Sequence, residues 1–206
     1  MFLEIFPHNM DMRKMQKVVD CLKSGGLVIY PTDTVYGLGC DIYNKEAVEK
    51  ICRIKNVKPE KMNFSFICYD LSHISDFTVS VDTPTYKLMK RCLPGPYTFI
   101  LKANNTIPKL FKNNKKTVGI RVPDNEIART IVQELGHPIL TTSVHHEDDI
   151  IDYITDASAI YERYENLVDI VIDGGIGGYK PSTIIDCTGD EPVVLREGAG
   201  PVDGIL

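Results

Sequence analysis

The residues best able to do chemistry gather in six short segments that follow or close apolar runs. Tyr30-Pro31-Thr32-Asp33-Thr34-Val35-Tyr36-Gly37-Leu38-Gly39 comes directly after one such run. Open α/β sheets hold ligands beyond the carboxyl ends of their strands. Pro31 fixes φ and lacks an N–H, so the chain turns there. Two threonine hydroxyls and a carboxylate then project from the strand end. Gly37 and Gly39 permit close backbone approach to a ligand. A capped surface turn would use the same residues. In Arg53-Ile54-Lys55-Asn56-Val57-Lys58-Pro59-Glu60-Lys61-Met62-Asn63-Phe64, cations collect at a helix C-terminus, where the helix dipole favours them. Flexible ammonium groups there could also clamp phosphate.

Arg121 lies inside the otherwise apolar run Thr117-Val118-Gly119-Ile120-Arg121-Val122-Pro123. A buried guanidinium is costly without a partner, so it meets either a structural carboxylate or an anionic ligand. Leu140-Thr141-Thr142-Ser143-Val144-His145-His146 closes a strand with three hydroxyls. Lys180-Pro181-Ser182-Thr183-Ile184-Ile185-Asp186 and Val194-Leu195-Arg196-Glu197-Gly198-Ala199-Gly200 again set polar groups at the edge of an apolar strand.

Other features point away from chemistry. Gly174-Gly175-Ile176-Gly177-Gly178 lacks the Lys-Ser/Thr that follows in a phosphate-binding loop, and reads as a mobile loop. His145-His146-Glu147-Asp148-Asp149 reads as a solvated loop, since adjacent histidines on an extended chain point to opposite sides. No metal site and no nucleophile–base arrangement is assigned.

Alternating helix and strand periods must position these segments. Met15, Val18, Val19 and Leu22 form one helical face, which Gly25 and Gly26 end. Asn44 caps a second helix with Ala47, Val48, Ile51 and Ile54 inward. Asp82 or Thr83 before Pro84 opens a third. Asp124 caps a fourth with Ile127, Ala128, Ile131, Val132 and Leu135 inward, stopped by Gly136. A fifth lies near Asp156–Tyr164. Strands are expected at Leu27–Tyr30, Phe64–Cys68, Tyr97–Leu101, Thr117–Val122, Ile139–Val144, Val168–Ile172, Ser182–Asp186 and Val193–Leu195. This alternation predicts an α/β fold with a largely parallel or mixed sheet.

With 206 residues and no linker or repeat in sight, residues 1–206 read as one domain. A net charge of −5 disfavours a globally basic nucleic-acid coat, though not a local basic cleft. The six cysteines form no CxxC pair and lie among apolar residues, which points to buried free thiols. The first ten residues lack a long apolar run, so a cytoplasmic protein without signal peptide or membrane span is expected.

The six segments, in this order, resemble the YrdC family of threonylcarbamoyl-AMP synthases, and within it the YciO-type branch. The similarity runs from about Lys17 to Gly200 and is marked by PTDTVYGLG (31–39), PGPYTFIL (94–101), TVGIRVP (117–123), PSTIID (181–186) and LREG (195–198). The resemblance implies a twisted, mixed parallel/antiparallel open sheet with flanking helices and a concave cationic cleft. It also implies a nucleotidyltransferase: threonine, bicarbonate and ATP, with Mg2+ accompanying the ATP, give threonylcarbamoyl-AMP and pyrophosphate for tRNA threonylcarbamoyladenosine modification. Carried over to this chain, threonine contacts fall to Thr32, Thr34, Arg121, Thr141 and Ser182. Nucleotide contacts fall to Lys55, Lys58, Asn63, Thr117, Ser143 and Arg196.

Two departures from the family pattern stand out. The Lys-x-Arg motif reads Lys55-Asn56-Val57, with Lys58 able to substitute if the loop carries one extra residue. The Ser-Ala-Asn motif reads Ser143-Val144-His145. Lysine lacks the two-pronged phosphate contact of arginine. The reaction needs no enzyme nucleophile: an N-carboxylate on threonine attacks the α-phosphorus, and the protein positions anions and screens charge. The rival function is a non-catalytic module that binds tRNA or double-stranded RNA with the same cleft, which loss of the clamp arginine favours.

Overall fold

The computed structural model describes residues 1–59, 61–62, 64–105, 116–144 and 153–205. Each of its five α-helices starts at a side chain that satisfies first-turn N–H groups. Asp11 caps α1 (Met12–Lys23), Asn44 caps α2 (Lys45–Ile54) and Asp82 caps α3 (Thr83–Cys92), in which Pro84 occupies the first turn. Asp156 caps α5 (Ala157–Tyr164). The cap of α4 (Glu126–Leu135) is Asn125, whose Oδ1 accepts from Ala128 N at 3.0 Å, and not Asp124 as the sequence suggested. The Asp124 N–H is committed elsewhere, to Asp33 Oδ2 at 3.0 Å. Gly25 and Gly136 take positive φ (81° and 87°) after α1 and α4, where a side chain would be strained.

The strands are β1 (Phe2–Glu4), β2 (Val28–Tyr30), β3 (Gly37–Asp41), β4 (Ser65–Ile67), β5 (Tyr97–Lys102), β6 (Thr117–Arg121), β7 (Ile139–Ser143), β8 (Ile170–Asp173), β9 (Thr183–Asp186) and β10 (Val193–Arg196). They form one sheet in the order β1-β8-β2-β3-β7-β4-β6-β5-β9-β10. Parallel pairs (β1 with β8, β8 with β2, β4 with β6, β5 with β9) are mixed with antiparallel ones, so the expected mixed open sheet with flanking helices is present. β1 and β3 were not foreseen.

Strand periodicity sorts the core into two layers. Val28, Tyr30, Ile67, Ile139, Ile170 and Ile172 pack under α1 and α4. Their neighbours Leu27, Ile29, Phe66, Leu140 and Val171 pack on the opposite face with α2, α3 and α5. The first layer covers only part of its face. Further along, the same face carries small and polar residues that line a cavity. All six cysteines are free thiols; four are buried, while Cys21 and Cys187 are half-buried. Among the described residues, no helix is long and apolar enough to cross a membrane.

Candidate functional site

Alternation along the strands builds the floor of a cavity of about 520 Å³. In β6, Val118 and Ile120 enter the core, while Thr117, Gly119 and Arg121 face the cavity. The same rule presents Thr98 and Ile100 from β5, Thr141 and Ser143 from β7, Ser65 from β4, and Ile184 from β9. Register sets these side by side: Gly119 lies opposite Ser65 and Ile100, and Ser65 opposite Thr141. Gly119 keeps the floor low. A Cβ there would meet Ser65 Oγ at 2.5 Å and Thr98 Cγ2 at 3.3 Å.

Arg121 anchors one end. Its side chain and that of Asp33 are each 9% exposed, and its Nη2 donates to Asp33 Oδ1 at 2.5 Å, Thr32 Oγ1 at 2.9 Å and Thr34 Oγ1 at 2.6 Å. Thr32 Oγ1 in turn donates to Val35 O and accepts from Thr34 N, which fixes the turn after β2. The carboxylate partner and the cavity position therefore coexist. Three acceptors crowd one nitrogen, while the buried Nε has no partner among the described residues. A buried donor left unpaired costs roughly 1–3 kcal/mol, and an acceptor entering the cavity would remove that cost.

At the other end, the Ser182 and Thr98 hydroxyls share a hydrogen bond of 2.8 Å. Arg196 donates from Nε and Nη2 to Ser182 O at 3.2 and 2.8 Å. Much of its fork therefore holds the Ser182 turn in place. Burial pushes the pKa of Arg196 below the usual guanidinium range; the Tyr153 phenol opposes this, and the charge of Arg121 adds to it. Two like charges thus face one cavity. Lys55 and Lys61 bring further positive charge to its wall, and no Asp or Glu is among the described residues that line it.

The sequence-derived candidates divide accordingly. Lys55, Thr117, Arg121, Thr141, Ser143, Ser182 and Arg196 line the cavity. Thr32 and Thr34 stand behind it, bonded to Arg121. Lys58 is exposed and off the wall, whereas Lys61, which the motif did not single out, is on it. Asn63 and His145-His146-Glu147-Asp148-Asp149 lie outside the described residues. The missing clamp arginine is replaced by Val57, which lines the cavity and packs partly buried against the core.

Gly37 and Gly39 are explained by packing. A Cβ on either would approach the Tyr30 ring, at 3.1 Å from Gly37 and 2.9 Å from Gly39. The ring lies over β3 and donates its O–H to Thr141 Oγ1 at 2.7 Å, and burial raises its pKa. The glycine-rich 174–178 stretch, expected to be mobile, is tied down. Gly178 N donates to Thr34 O at 2.6 Å, and Tyr36 O–H donates to Gly175 O at 2.7 Å. Burial pushes the Tyr36 phenol up to about 12.

An open α/β sheet with a ligand-sized cavity walled by hydroxyls and cations is the class this geometry defines. The Sua5/YciO/YrdC family model, described as telomere recombination, matches residues 20–198. The chain is 43% identical to the uncharacterised protein YciO of Escherichia coli (strain K12) over 206 residues, which is all of this chain and 98% of that one. The crystal structure of E. coli YciO superposes with a TM-score of 0.92, at 42% identity, over 100% of this chain and 99% of that one. The threonylcarbamoyl-AMP synthase of Coxiella burnetii (strain RSA 493 / Nine Mile phase I) is 28% identical over 185 residues, 89% of this chain and 97% of its own. P. abyssi Sua5 complexed with L-threonine superposes with a TM-score of 0.88 at 26% identity, over 96% of this chain and 57% of that longer one. The chain belongs to the Sua5/YciO/YrdC family.

Proposed function

We propose that the cavity binds L-threonine and ATP and forms threonylcarbamoyl-AMP from them and bicarbonate, releasing pyrophosphate. The observation that carries this reading is Arg121, buried beside a cavity with its Nε–H unpartnered among the described residues and threonine hydroxyls around it. The threonine carboxylate supplies the missing acceptor at Nε. Hydroxyls of Thr98, Thr141 and Ser182, each already in one hydrogen bond, use their remaining capacity to meet its amine and side chain. The relatives named above support the substrate class, one as a threonylcarbamoyl-AMP synthase and one as a threonine complex.

In this scheme the threonine amine adds to carbon dioxide derived from bicarbonate and loses a proton, leaving an N-carboxylate. One of its oxygens attacks the α-phosphorus of ATP, and the bond to pyrophosphate breaks. The chain's own groups supply no nucleophile. Lys55, Lys61, Thr117, Ser143 and Arg196 hold the nucleotide and screen the charge that builds on the transferring and departing phosphates. Mg2+ brought in with ATP would help to neutralise the phosphate charge. Among the described residues no three His, Cys, Asp or Glu side chains gather to hold a metal. The product supplies threonylcarbamoyl groups for tRNA.

Calorimetric titration tests the reading. L-Threonine and Mg·ATP each bind at one site on the same molecule, and Arg121→Ala removes the threonine isotherm. Absence of both isotherms in the wild type rejects it.

A further inference from the structure

We infer that Lys61, and not Lys58, completes the polyphosphate clamp of this chain together with Lys55; the inference rests on ATP being a ligand of the cavity. In the Lys-x-Arg pattern the second cation follows the first by two residues. Here that position is Val57, and the helix end shows why no cation replaces it. α2 closes with Asn56 in the left-handed conformation, φ 52°. Val57 N donates to Cys52 O at 3.0 Å and Asn56 N to Arg53 O at 3.1 Å, a helix-ending motif that favours an apolar residue at the second position past the cap. Val57 fills that place against the core.

The chain beyond decides which lysine takes over. Lys61 N and Met62 N both donate to Lys58 O, at 2.9 and 3.2 Å, so the backbone folds back on itself between them. Met62 is buried at 5% exposure and anchors the return limb. Lys58 stands on the outgoing limb, exposed and off the cavity wall, while Lys61 stands on the return limb and lines the cavity with Lys55, Val57, Met62 and Phe64. A phosphate chain lying over Arg121 and Arg196 toward this wall meets two ammonium groups. These act as point charges that follow a flexible polyphosphate without imposing the planar geometry of a guanidinium fork.

The test is calorimetric binding of Mg·ATP and of AMP to the wild type and to Lys61→Ala, Lys58→Ala and Lys61→Arg, at low and high salt. Lys61→Ala should weaken ATP binding about tenfold or more. It should leave AMP within about twofold, because the lost contact is to the outer phosphates. The loss shrinks at high salt, as for any solvent-facing charge. Lys58→Ala stays near wild type, and Lys61→Arg retains binding. Unchanged ATP affinity in Lys61→Ala, or a larger loss in Lys58→Ala, overturns the inference and leaves the function proposed above standing. A wild type that binds neither ATP nor AMP overturns both.

Discussion

Replacing Arg121 should separate its two roles, because each has a different partner. Arg121→Met keeps most of the volume and apolar stem but removes every donor. Among the described residues Asp33, 9% exposed, then keeps only the Asp124 N–H as a bond partner, and its charge is stranded beside a mostly buried strand end. Breaking a buried pair on one side costs about 3–5 kcal/mol. For a chain of this size that is a fall in Tm of roughly 6–20 °C. Adding Asp33→Asn removes the stranded charge while leaving an oxygen for Asp124 N–H, so the double variant should recover about half or more of the loss. Threonine binding should not return, since the Nε–H that would donate to its carboxylate is gone in both. Urea melts and threonine calorimetry on the four members of this cycle provide the readout. The reasoning fails if Arg121→Met costs under about 1 kcal/mol, the range of an exposed pair. It also fails if the double variant binds threonine like the wild type.

Other outcomes follow from single contacts. Gly119→Ala places a methyl 2.5 Å from Ser65 Oγ on the cavity floor and should cost about 1–3 kcal/mol, with weaker threonine binding by titration. Burial, with Asp70 adding to it, lifts the Cys68 thiol from 9.0 to about 12. The unfolded thiol ionises first as pH rises, so the stability this thiol confers is whole below pH 9 and declines between pH 9 and about 12; urea melts across that range should show the fall, and Cys68→Ala should make it shallower, with Cys21, Cys187 and Tyr36 keeping their share. Val57→Arg restores the family's fork on a residue that already lines the cavity. It should tighten ATP by up to about tenfold in calorimetry while losing some stability in the melt.

What could be seen in the sequence was whatever local periodicity encodes. The faces of α1 and α4 and the strand that ends at Tyr30 needed only spacing. β3 escaped because Gly37 and Gly39 show no side-chain alternation, and their reason for being glycine is the Tyr30 ring folded over them. β1 escaped because it is three residues long and owes its existence to parallel pairing with β8, far along the chain. The 174–178 stretch looked mobile because its restraints, Thr34 O and Tyr36 O–H, are remote in sequence. Arg121 as the oddity in an apolar strand was legible, and so were the hydroxyls around it. That Asp33 and the cavity would share this arginine was not, since it depends on where the turn after β2 lies across the sheet. Nor could spacing tell Lys58 from Lys61, which a single fold in the backbone separates.

Formation of a mixed anhydride in this cavity is the reaction on which the proposed function turns. It is tested most directly by following ATP, L-threonine and carbon-13 bicarbonate with the protein by phosphorus and carbon NMR. An α-phosphorus signal coupled to the labelled carbon is expected, growing with pyrophosphate and absent without threonine. An unchanged ATP spectrum under conditions where both ligands are bound would contradict it.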